Sequence, residues 1–593
     1  MEAGFSQFEA ILWVLIFFGG SIFVHELGHF LAAKWYKLYI PCFSIGFGPK
    51  IFKKKIGETE FCISLLPLGG YVTLPQLMDV QSVEGKYALP KSLPPISSRD
   101  KMIVASMGVV FNLLFAFIIA IGLYCLGIEQ RYSSTNTTIG YICHEVPINA
   151  TKKVPGPAKR AGLKVGDHIV AIDGHATKSF SDVLCGITLG KHRDTNGPVS
   201  QFSIIRDNQP LEVTVHPVIC EQNARTGETS RIAGLLSEEK LSVSHVYDHS
   251  PAAAKGVQQG DKLIAIDSIP VTSYRLFLDL LRGQEEVLCE FEREGGERYS
   301  VTIPCVVVPH QKPVLRLVLD FEGTLELYPE FTEPLALKDL CDQPCTLRCL
   351  SWIKEGDSDD SDLTLLGQTV IIQVPNVPQT LKTYRDFFRS HIGQQLELQI
   401  GAQKHALVVT TATIDEEVSH ESLGFELQET TVQMHIHPLT QISDSIQMTA
   451  QTLVSLLTPS ADVHFKNLMG PTGIVKTLHT FAVTDFRLLL WFVILLNVNL
   501  AFLNTLPLPI LDGGIILLAF LEAIFRRKFP AHTLGAIQSI FALILLGFVL
   551  YISVFDVHRI LGEQDAKAQL QRQQLLALDE ADFWRQESGK QHP

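Results

Sequence analysis

The sequence places an H-E-x-x-H motif inside an apolar run. Residues 25–29 (HELGH) lie within a stretch from about Phe8 to Trp35 that is long and apolar enough for a membrane-spanning helix. Ionisable side chains are costly at membrane depth, so packing alone does not readily explain three of them within five residues. The motif therefore predicts zinc-dependent hydrolysis within or at the edge of a bilayer.

The spacing of the motif predicts separate roles for its polar residues. Residues four apart share one helix face, so His25 and His29 can both direct a ring nitrogen at a metal about 2 Å away. Glu26 lies to the side of that face, where it can act as a general base without being a ligand. Because a catalytic zinc site usually has three protein ligands, one more ligand is expected elsewhere in the chain.

Candidates for the third ligand lie near the carboxyl end. The apolar stretch 488–502 runs into LNTLPLPILDGG at 503–514, where prolines and glycines interrupt the helix around Asp512. We expect Asp512 to be the ligand, and helix capping is the alternative role. Glu522 is the competing acid, but it precedes the basic residues 526–528, which favours an interfacial ion pair.

These motifs together resemble the site-two protease family of intramembrane zinc metalloproteases. Residues 43–48, 67–72, 470–474 and 499–514 are further similar to its bacterial branch, the regulator of sigma-E protease. The resemblance implies a Zn²⁺ cofactor and the following site: metal ligands His25, His29 and Asp512, catalytic base Glu26, and substrate-binding Asn504 with Asn499 nearby. The chain departs from that branch at Ile515, where histidine is common, and at Val109, where proline is common.

The composition indicates a membrane protein with a large water-soluble part. Of the 593 residues 46% are hydrophobic, and the mean hydropathy is +0.20. Four apolar segments are long enough to span a bilayer, at about 8–35, 102–127, 488–511 and 534–554. The first lacks a basic amino-terminal region and contains the H-E-x-x-H motif, so we do not interpret it as a signal peptide.

The basic residues predict the orientation. Between Lys34 and Lys101 there are ten Lys or Arg against five acids, and residues 526–528 (RRK) precede the last span. Both loops are therefore expected in the cytoplasm, with the active site toward that side of a cell inner membrane. The segment of about 360 residues after the second span and the polar tail 556–593 would be periplasmic. The net charge of -13 indicates no nucleic-acid partner.

The external segment contains a repeat. Residues 157–173 recur 94 residues later as residues 251–267, each copy reading as a short helix, a Gly-Asp turn and a strand. The copies resemble the PDZ domains of bacterial envelope proteases, which predicts units at about 128–225 and 226–310. Such units add a peptide strand to a sheet edge. They could instead restrict access to the membrane site or serve as spacers.

A weaker echo and the cysteines give further expectations for this segment. Residues 383–394 echo 273–284 at an offset of 110, so residues 311–440 are interpreted as a degenerate PDZ-like β domain, before an amphipathic juxtamembrane segment at 441–487. Eight of eleven cysteines lie outside, where disulfides are permitted. A zinc site at Cys341, Cys345 and Cys349 is the less favoured interpretation. The acidic run 357–362 is expected to be a solvated loop rather than a calcium site.

The segment after the first span predicts a hairpin. The β-like runs 45–48 and 61–66 flank the basic stretch 53–57. Beside the membrane, such a hairpin could present a strand edge to a substrate, and Ile63 and Ser64 are candidate substrate-binding residues. A plain cytoplasmic anchor is the alternative.

The predicted fold is a polytopic α-helical membrane protein with four transmembrane helices, a membrane-associated β-hairpin and inserted extracytoplasmic PDZ-like α+β domains. The predicted function is regulated intramembrane proteolysis by a zinc metalloendopeptidase in contact with the lipid bilayer. Its substrates would be single-span membrane proteins, such as anti-sigma factors or remnant signal peptides, some already trimmed by an upstream protease. The alternative is a non-catalytic membrane adaptor whose PDZ units bind exposed polypeptide termini.

Overall fold

The structure is a computed structural model with a helical part, a hairpin and a β-rich segment. It describes residues 7–77, 93–94, 96–149, 152–195, 197–223, 228–309, 314–320, 323–331, 341–353, 365, 367–372, 379–415, 419–527 and 529–577. In chain order the helices are α1 (Gln7–Trp35), α2 (Ser98–Leu126), α3 (Tyr132–Thr135), α4 (Pro157–Arg160), α5 (Phe180–Thr188), α6 (Pro251–Ala254), α7 (Tyr274–Leu281), α8 (Leu381–Ser390), α9 (Pro438–Leu457), α10 (Pro471–Thr484), α11 (Phe486–Thr505), α12 (Asp512–Phe525) and α13 (Ala531–Ala577).

Four helices are long and apolar enough to cross a membrane, which confirms the predicted number of spans. They cover Phe8–Trp35, Ser98–Leu126, Phe486–Thr505 and Thr533–Ile560. The third span, α11, ends at Thr505 rather than at the predicted residue 511, because the prolines at 507 and 509 cannot continue a helix. Helix α13 extends to Ala577, so the segment predicted as a polar tail begins as a continuation of the last span.

The first three spans pack around a shared apolar core. Ala10 and Val14 of α1, Ala116 and Leu123 of α2, and Val493 of α11 are among its buried members. Small residues in this core let the helix backbones approach closely, as is usual between membrane helices.

Polar contacts add to this helix packing. The Asn497 amide of α11 donates to the Ser21 hydroxyl of α1 at 2.9 Å. Lys101 of α2 pairs with Glu522 of α12 at 3.1 Å. The first contact joins α11 to α1, and the second joins α2 to α12. Helix α2 also packs against α1, where it faces the H-E-x-x-H motif.

The predicted hairpin is present and is longer than expected. Strands β1 (Cys42–Ile56) and β2 (Thr59–Val72) are antiparallel and joined by a turn at Gly57, whose φ of 65° suits glycine. Both strands bend, so residues 42–45 run parallel to 60–63 on one side and antiparallel to 70–72 on the other. The hairpin therefore folds into a small sheet with the segment order 50–56, 59–64, 42–45, 70–72.

The first external unit combines short strands with two helices, α4 and α5. Its strands and those that lead into it are β3 (Ile128–Arg131), β4 (Ile139–Ile142), β5 (Glu145–Pro147), β6 (Lys153–Pro155), β7 (His168–Ile172), β8 (His175–Ala176), β9 (Arg193–Asp194), β10 (Gly197–Pro198), β11 (Ser200–Arg206), β12 (Gln209–Val215), β13 (Val218–Asn223), β14 (Glu228–Ile232) and β15 (Leu235–Ser237). The main sheet has the order β12-β11-β7-β8, and β15 returns to pair with β4. The unit has its own buried core.

The second external unit has the same succession of a short helix, a strand, a longer helix and two strands. Its elements include α6, α7 and the strands β16 (Leu241–Val246), β17 (Lys262–Ile266), β18 (Ile269–Pro270), β19 (Glu286–Glu292), β20 (Arg298–Pro304) and β21 (Val306–Pro309). Aspartates at the start of β7 and β17, Asp167 and Asp261, are both buried and satisfied, by Arg206 and by the Tyr299 hydroxyl. The assignment of these units to the PDZ class stays a prediction.

A closed β-barrel follows β21 in the chain. Its strands are β22 (Val314–Leu319), β23 (Gly323–Phe331), β24 (Cys345–Ile353), β25 (Thr369–Ile371), β26 (Gln395–Ile400) and β27 (Gln403–Asp415), and α8 packs against its apolar core. The chain then returns through β28 (Ser419–Ser422), β29 (Phe425–Glu429) and β30 (Thr431–Met434), which pair with β21, β16 and β3. The barrel is thus an insertion in the second unit, so the predicted boundaries at 310 and 440 do not coincide with the strand pairing.

The cysteines of the external segment are free thiols in the structure. Cys345 and Cys349 are four residues apart on β24, roughly 13 Å along a strand, so they cannot share one metal ion with Cys341. Burial raises the pKa of the Cys345 thiol to about 12. The acidic run 357–362 lies outside the described residues.

Candidate metal centre

Three donor side chains meet between α1, α2 and α12. Nε2 of His25 lies 3.2 Å from Nε2 of His29 and 3.3 Å from Oδ2 of Asp512. Nε2 of His29 lies 3.4 Å from Oδ1 of Asp512. The structure therefore brings together the three residues that were predicted as metal ligands, although His25 and Asp512 are 487 positions apart in the chain.

The donor geometry fits a tetrahedral zinc ion. Donor atoms bonded to zinc at about 2.0–2.1 Å with tetrahedral angles are roughly 3.3 Å apart, close to the three observed separations. The side chains are only 10–13% exposed. Oδ2 of Asp512 is buried without a hydrogen-bond partner, which would be costly unless a cation satisfied it. Two imidazoles and a carboxylate are also a donor set that zinc accepts.

Helix α1 supplies the two histidines, and α2 makes room for them. His25 and His29 are four residues apart on the face of α1 that packs against α2. Gly108 of α2 lies opposite this face. A Cβ atom there would overlap Nε2 of His29 and lie 2.6 Å from Cε1 of His25. Glycine at position 108 is therefore required for the rings to occupy their present positions.

The second nitrogen of each ring is held by α2. Nδ1 of His29 donates to the backbone carbonyl of Val104 at 2.9 Å. Nδ1 of His25 lies 3.1 Å from the side-chain amide of Asn112, which is fully buried. If Nε2 is to bind a metal, Nδ1 carries the proton and needs an acceptor, so the Asn112 amide must present its oxygen to His25. In this way α2 orients both rings.

Asp512 reaches the centre because the chain turns sharply before it. Helix α12 begins at Asp512, preceded by Leu511 without a side-chain cap. A Cβ atom at Gly513 would overlap the carbonyl oxygens of Thr505 and Leu506, so the turn depends on glycine. The Asp512 carboxylate faces the histidines rather than capping the helix, and Glu522 is engaged by Lys101.

Glu26 lies beside the centre and against the hairpin. Its carboxylate interacts electrostatically with His25, His29 and Asp512, and it contacts the backbone of Val72 in β2. A Cβ atom at Gly70 would lie 3.1 Å from Cγ of Glu26. The carboxylate is thus positioned between the donor set and the 70–72 edge of the hairpin.

The predicted substrate-binding residues are spread over several elements. Asn499 accepts a hydrogen bond from Thr449 of α9, and Asn504 is half-buried on the last turn of α11. The Ser64 hydroxyl bonds that of Ser44 inside the hairpin at 3.1 Å, whereas Ile63 is 48% exposed. Their roles stay predictions, and for Ser64 the side chain is already used within the hairpin.

Two residues that shape the centre were not identified as site residues from the sequence. Asn112 is a polar residue in an apolar span, which was a usable signal because such residues are costly there. Gly108 carries no chemical signal, since its contribution is the absence of a side chain.

Membrane-length helices, two histidines and an aspartate at metal-binding separations, and an adjacent glutamate define a membrane metallopeptidase. The chain belongs to peptidase family M50, whose family profile matches residues 13–548. This confirms the resemblance to the site-two proteases, and the protein is therefore an enzyme of a zinc metalloprotease family.

Relatives from several bacteria share the name "Putative zinc metalloprotease". The Chlamydia pneumoniae protein is 24% identical over 92% of this chain and 98% of its own length. The Thermotoga maritima protein is 25% identical over 93% and 99% of the two chains. The Treponema pallidum protein is 30% identical over 48% of this chain and 61% of its own. The first two similarities extend through the external segment.

Proposed function

We propose that this protein is a zinc endopeptidase that cuts single-span membrane proteins within or near the bilayer. One observation carries the proposal: the two histidine donors lie on the membrane-length helix α1, are oriented by the membrane-length helix α2, and meet Asp512 at the start of α12. A centre in that position meets substrates that are themselves in the membrane. Cleavage of a soluble substrate would not require a catalytic centre on membrane-length helices.

Each residue of the centre has a proposed role in hydrolysis. His25, His29 and Asp512 would hold zinc, which when bound polarises the scissile carbonyl and makes a water more acidic. Glu26 would accept a proton from the attacking water at its carboxylate and later deliver it to the leaving amine. The hydrogen bonds that the two Nδ1 atoms donate to Val104 and Asn112 of α2 would keep both imidazoles in the tautomer that this requires.

The hairpin is proposed to present the substrate to the centre. A peptide bond in a transmembrane helix is shielded by the helix's own hydrogen bonds and must be opened before attack. The 70–72 segment is at one edge of the small sheet and next to Glu26, so a substrate strand that pairs there would be extended beside the base. The Asn504 amide is proposed to hold the same strand.

The external segment is proposed to select substrates from the periplasm, with the hairpin in the cytoplasm and the protein in a cell inner membrane. The basic loops favour this orientation. The two external units, interpreted as PDZ domains, would exclude substrates with bulky external domains and admit those trimmed by another protease. Anti-sigma factors and remnant signal peptides would be substrates of this kind.

The test is a cleavage assay with purified full-length protein in lipid vesicles. A single-span test substrate should be cut within or near its apolar segment, as located by mass spectrometry of the products. A chelator should abolish cleavage, and added Zn²⁺ should restore it. Cleavage that persists after all metal is removed, or that occurs only in soluble domains, would contradict the proposal.

A further inference from the structure

A second cluster of metal-ligating side chains lies in the hairpin. The Sγ atoms of Cys42 and Cys62 and a carboxylate oxygen of Glu60 all lie within 4.8 Å of one another. In the described part of the chain, this cluster and the His25 centre are the groups of three such ligands. We propose that Cys42, Glu60 and Cys62 bind a thiophilic divalent cation, with zinc as the expected ion.

Strand pairing builds this cluster. Residues 42–45 run parallel to 60–63, with Cys42 opposite Glu60 and Ser44 opposite Cys62. Glu60 and Cys62 are two residues apart, so their side chains project from the same face of the strand, which Cys42 shares. The three donors come from two paired backbone segments, and no loop has to rearrange to bring them together.

The separation of the sulfur atoms favours a metal over a disulfide. The two Sγ atoms are 4.0 Å apart. Two thiolates bound to tetrahedral zinc at about 2.3 Å are roughly 3.8 Å apart, whereas a disulfide requires about 2.05 Å. Cys42 is fully buried and Cys62 is 3% exposed. Buried neutral thiols oxidise slowly, but a bound cation deprotonates them directly.

The charges around the cluster suit a divalent ion. Two thiolates and one carboxylate carry three negative charges, which a divalent cation and one ammonium group neutralise. Lys50 supplies that ammonium, with Nζ at 2.7 Å from Oε2 of Glu60. The Tyr71 hydroxyl contacts the Cys42 sulfur and can donate a hydrogen bond to the thiolate. A second set of groups therefore supports the donors, as in established metal sites.

The cation would fix the hairpin where it meets the catalytic centre. It would join the 42–45 segment to the 59–64 segment. The 42–45 segment also pairs with residues 70–72, which contact Glu26. The donors are separate from His25, His29 and Asp512, so this inference does not depend on the proposed peptidase mechanism.

Zinc stoichiometry of the full-length protein tests the inference. The purified protein is stripped of metal, reloaded with Zn²⁺, dialysed and measured by elemental analysis. We expect two equivalents per chain for the wild type and one for Cys42→Ser/Cys62→Ser. Cys125→Ser removes an exposed cysteine of α2 and should retain both. If the paired serine variant holds as much zinc as the wild type, the inference is wrong.

A second variant separates the two centres. His25→Ala/His29→Ala should also retain one equivalent, and X-ray absorption of that remaining zinc should show sulfur neighbours at about 2.3 Å. If X-ray absorption shows only nitrogen and oxygen neighbours, the inference is wrong. It is also wrong if mass spectrometry of the intact wild type gives a mass lower by two hydrogens, because that mass would show a disulfide. Glu60→Gln keeps both buried thiols, so it tests the site without the packing change of the serine variant, and it should weaken zinc binding at this site at least tenfold. If Glu60→Gln binds zinc at this site as tightly as the wild type, Glu60 is not a ligand and the proposed three-donor site is wrong.

Discussion

At the scale of single residues, the lack of a side chain at position 108 decides whether the two histidines fit beside α2. In Gly108→Ala the added methyl group would overlap the His29 ring, so one ring must move. Overpacking of this kind costs about 1–3 kcal/mol. We expect zinc affinity and cleavage rate to fall roughly tenfold or more. Gly122→Ala on the same helix is the matched control, because nothing lies within 4 Å of the added carbon. Equal effects of the two substitutions would contradict this reading.

The second prediction for a single residue concerns Asn112. Asn112→Leu keeps the approximate volume but removes the partner of His25 Nδ1. Loss of such an outer hydrogen bond typically costs 10–100-fold in metal affinity, and we expect a drop in that range by competition with a chelator. Ser106→Ala serves as the control, since its hydroxyl bonds only the α2 backbone at Ile103. Wild-type affinity in Asn112→Leu would show that the Asn112 amide does not position His25.

The residue scale also shows what the sequence can reveal of the site. The spacing of His25, Glu26 and His29 on one helix predicted their convergence, and the interrupted helix around Asp512 predicted the third donor. Gly108 contributes by leaving room for the histidine rings, and Val104 contributes through its backbone carbonyl. Neither contribution depends on a side chain, so neither leaves a pattern in the sequence. The Cys42 and Cys62 pair depends on strand register, and the register follows from bends in β1 and β2 that the apolar pattern does not predict.

At the scale of elements, a buried ion pair fastens the first external unit to the segment between α9 and α10. Arg231 of β14 is 2% exposed, and its Nε donates to Asp462 at 2.6 Å. Arg193 of β9 contacts the same carboxylate, and both arginines donate to the Ser460 carbonyl. Together with the Ser460 hydroxyl, which donates to the Lys191 carbonyl, this contact holds the unit against the segment between α9 and α10.

The next prediction concerns the loss of the Arg231–Asp462 ion pair. Asp462→Asn leaves the buried Arg231 charge without its partner, which should cost about 3–5 kcal/mol. We expect faster hydrogen exchange in residues 228–232 and 458–467. Asp444→Asn is the control at the same interface, because Asp444 and its partner Lys178 are 51% and 72% exposed and such pairs contribute about 0–1 kcal/mol. Similar exchange in both variants would mean that Arg231 does not fasten the unit.

The elements themselves were predictable to different degrees. The long apolar helices and the hairpin follow from local patterns of hydrophobicity and glycine. The insertion of the barrel does not, because the pairing of β29 with β16 joins residues about 180 positions apart. Local sequence similarity marks the start of each repeated unit, but only this long-range pairing shows where the second unit ends.

At the scale of the whole molecule, the pairing of β3 with β30 makes the external segment removable. Arg131 lies opposite Thr431, so residues 132–430 can be replaced by a short linker between adjacent strands. If the external units exclude large substrates, this deletion should allow cleavage of an untrimmed substrate that the wild type rejects. Removing only the barrel, residues 314–415, leaves both units and should retain the exclusion. Slower cleavage of a trimmed substrate after the larger deletion would instead indicate that the units recruit substrates.

The central claim is that Glu26 transfers protons at a zinc centre held by His25, His29 and Asp512. The most direct measurement is zinc content and cleavage rate on the same preparations of wild type, Glu26→Gln and Asp512→Ala. Glu26→Gln should retain the wild-type zinc content while its cleavage rate falls by about 10²–10⁴. Asp512→Ala should lose one zinc equivalent together with its activity. Cleavage at the wild-type rate by Glu26→Gln, or a full zinc complement in Asp512→Ala, would contradict the account.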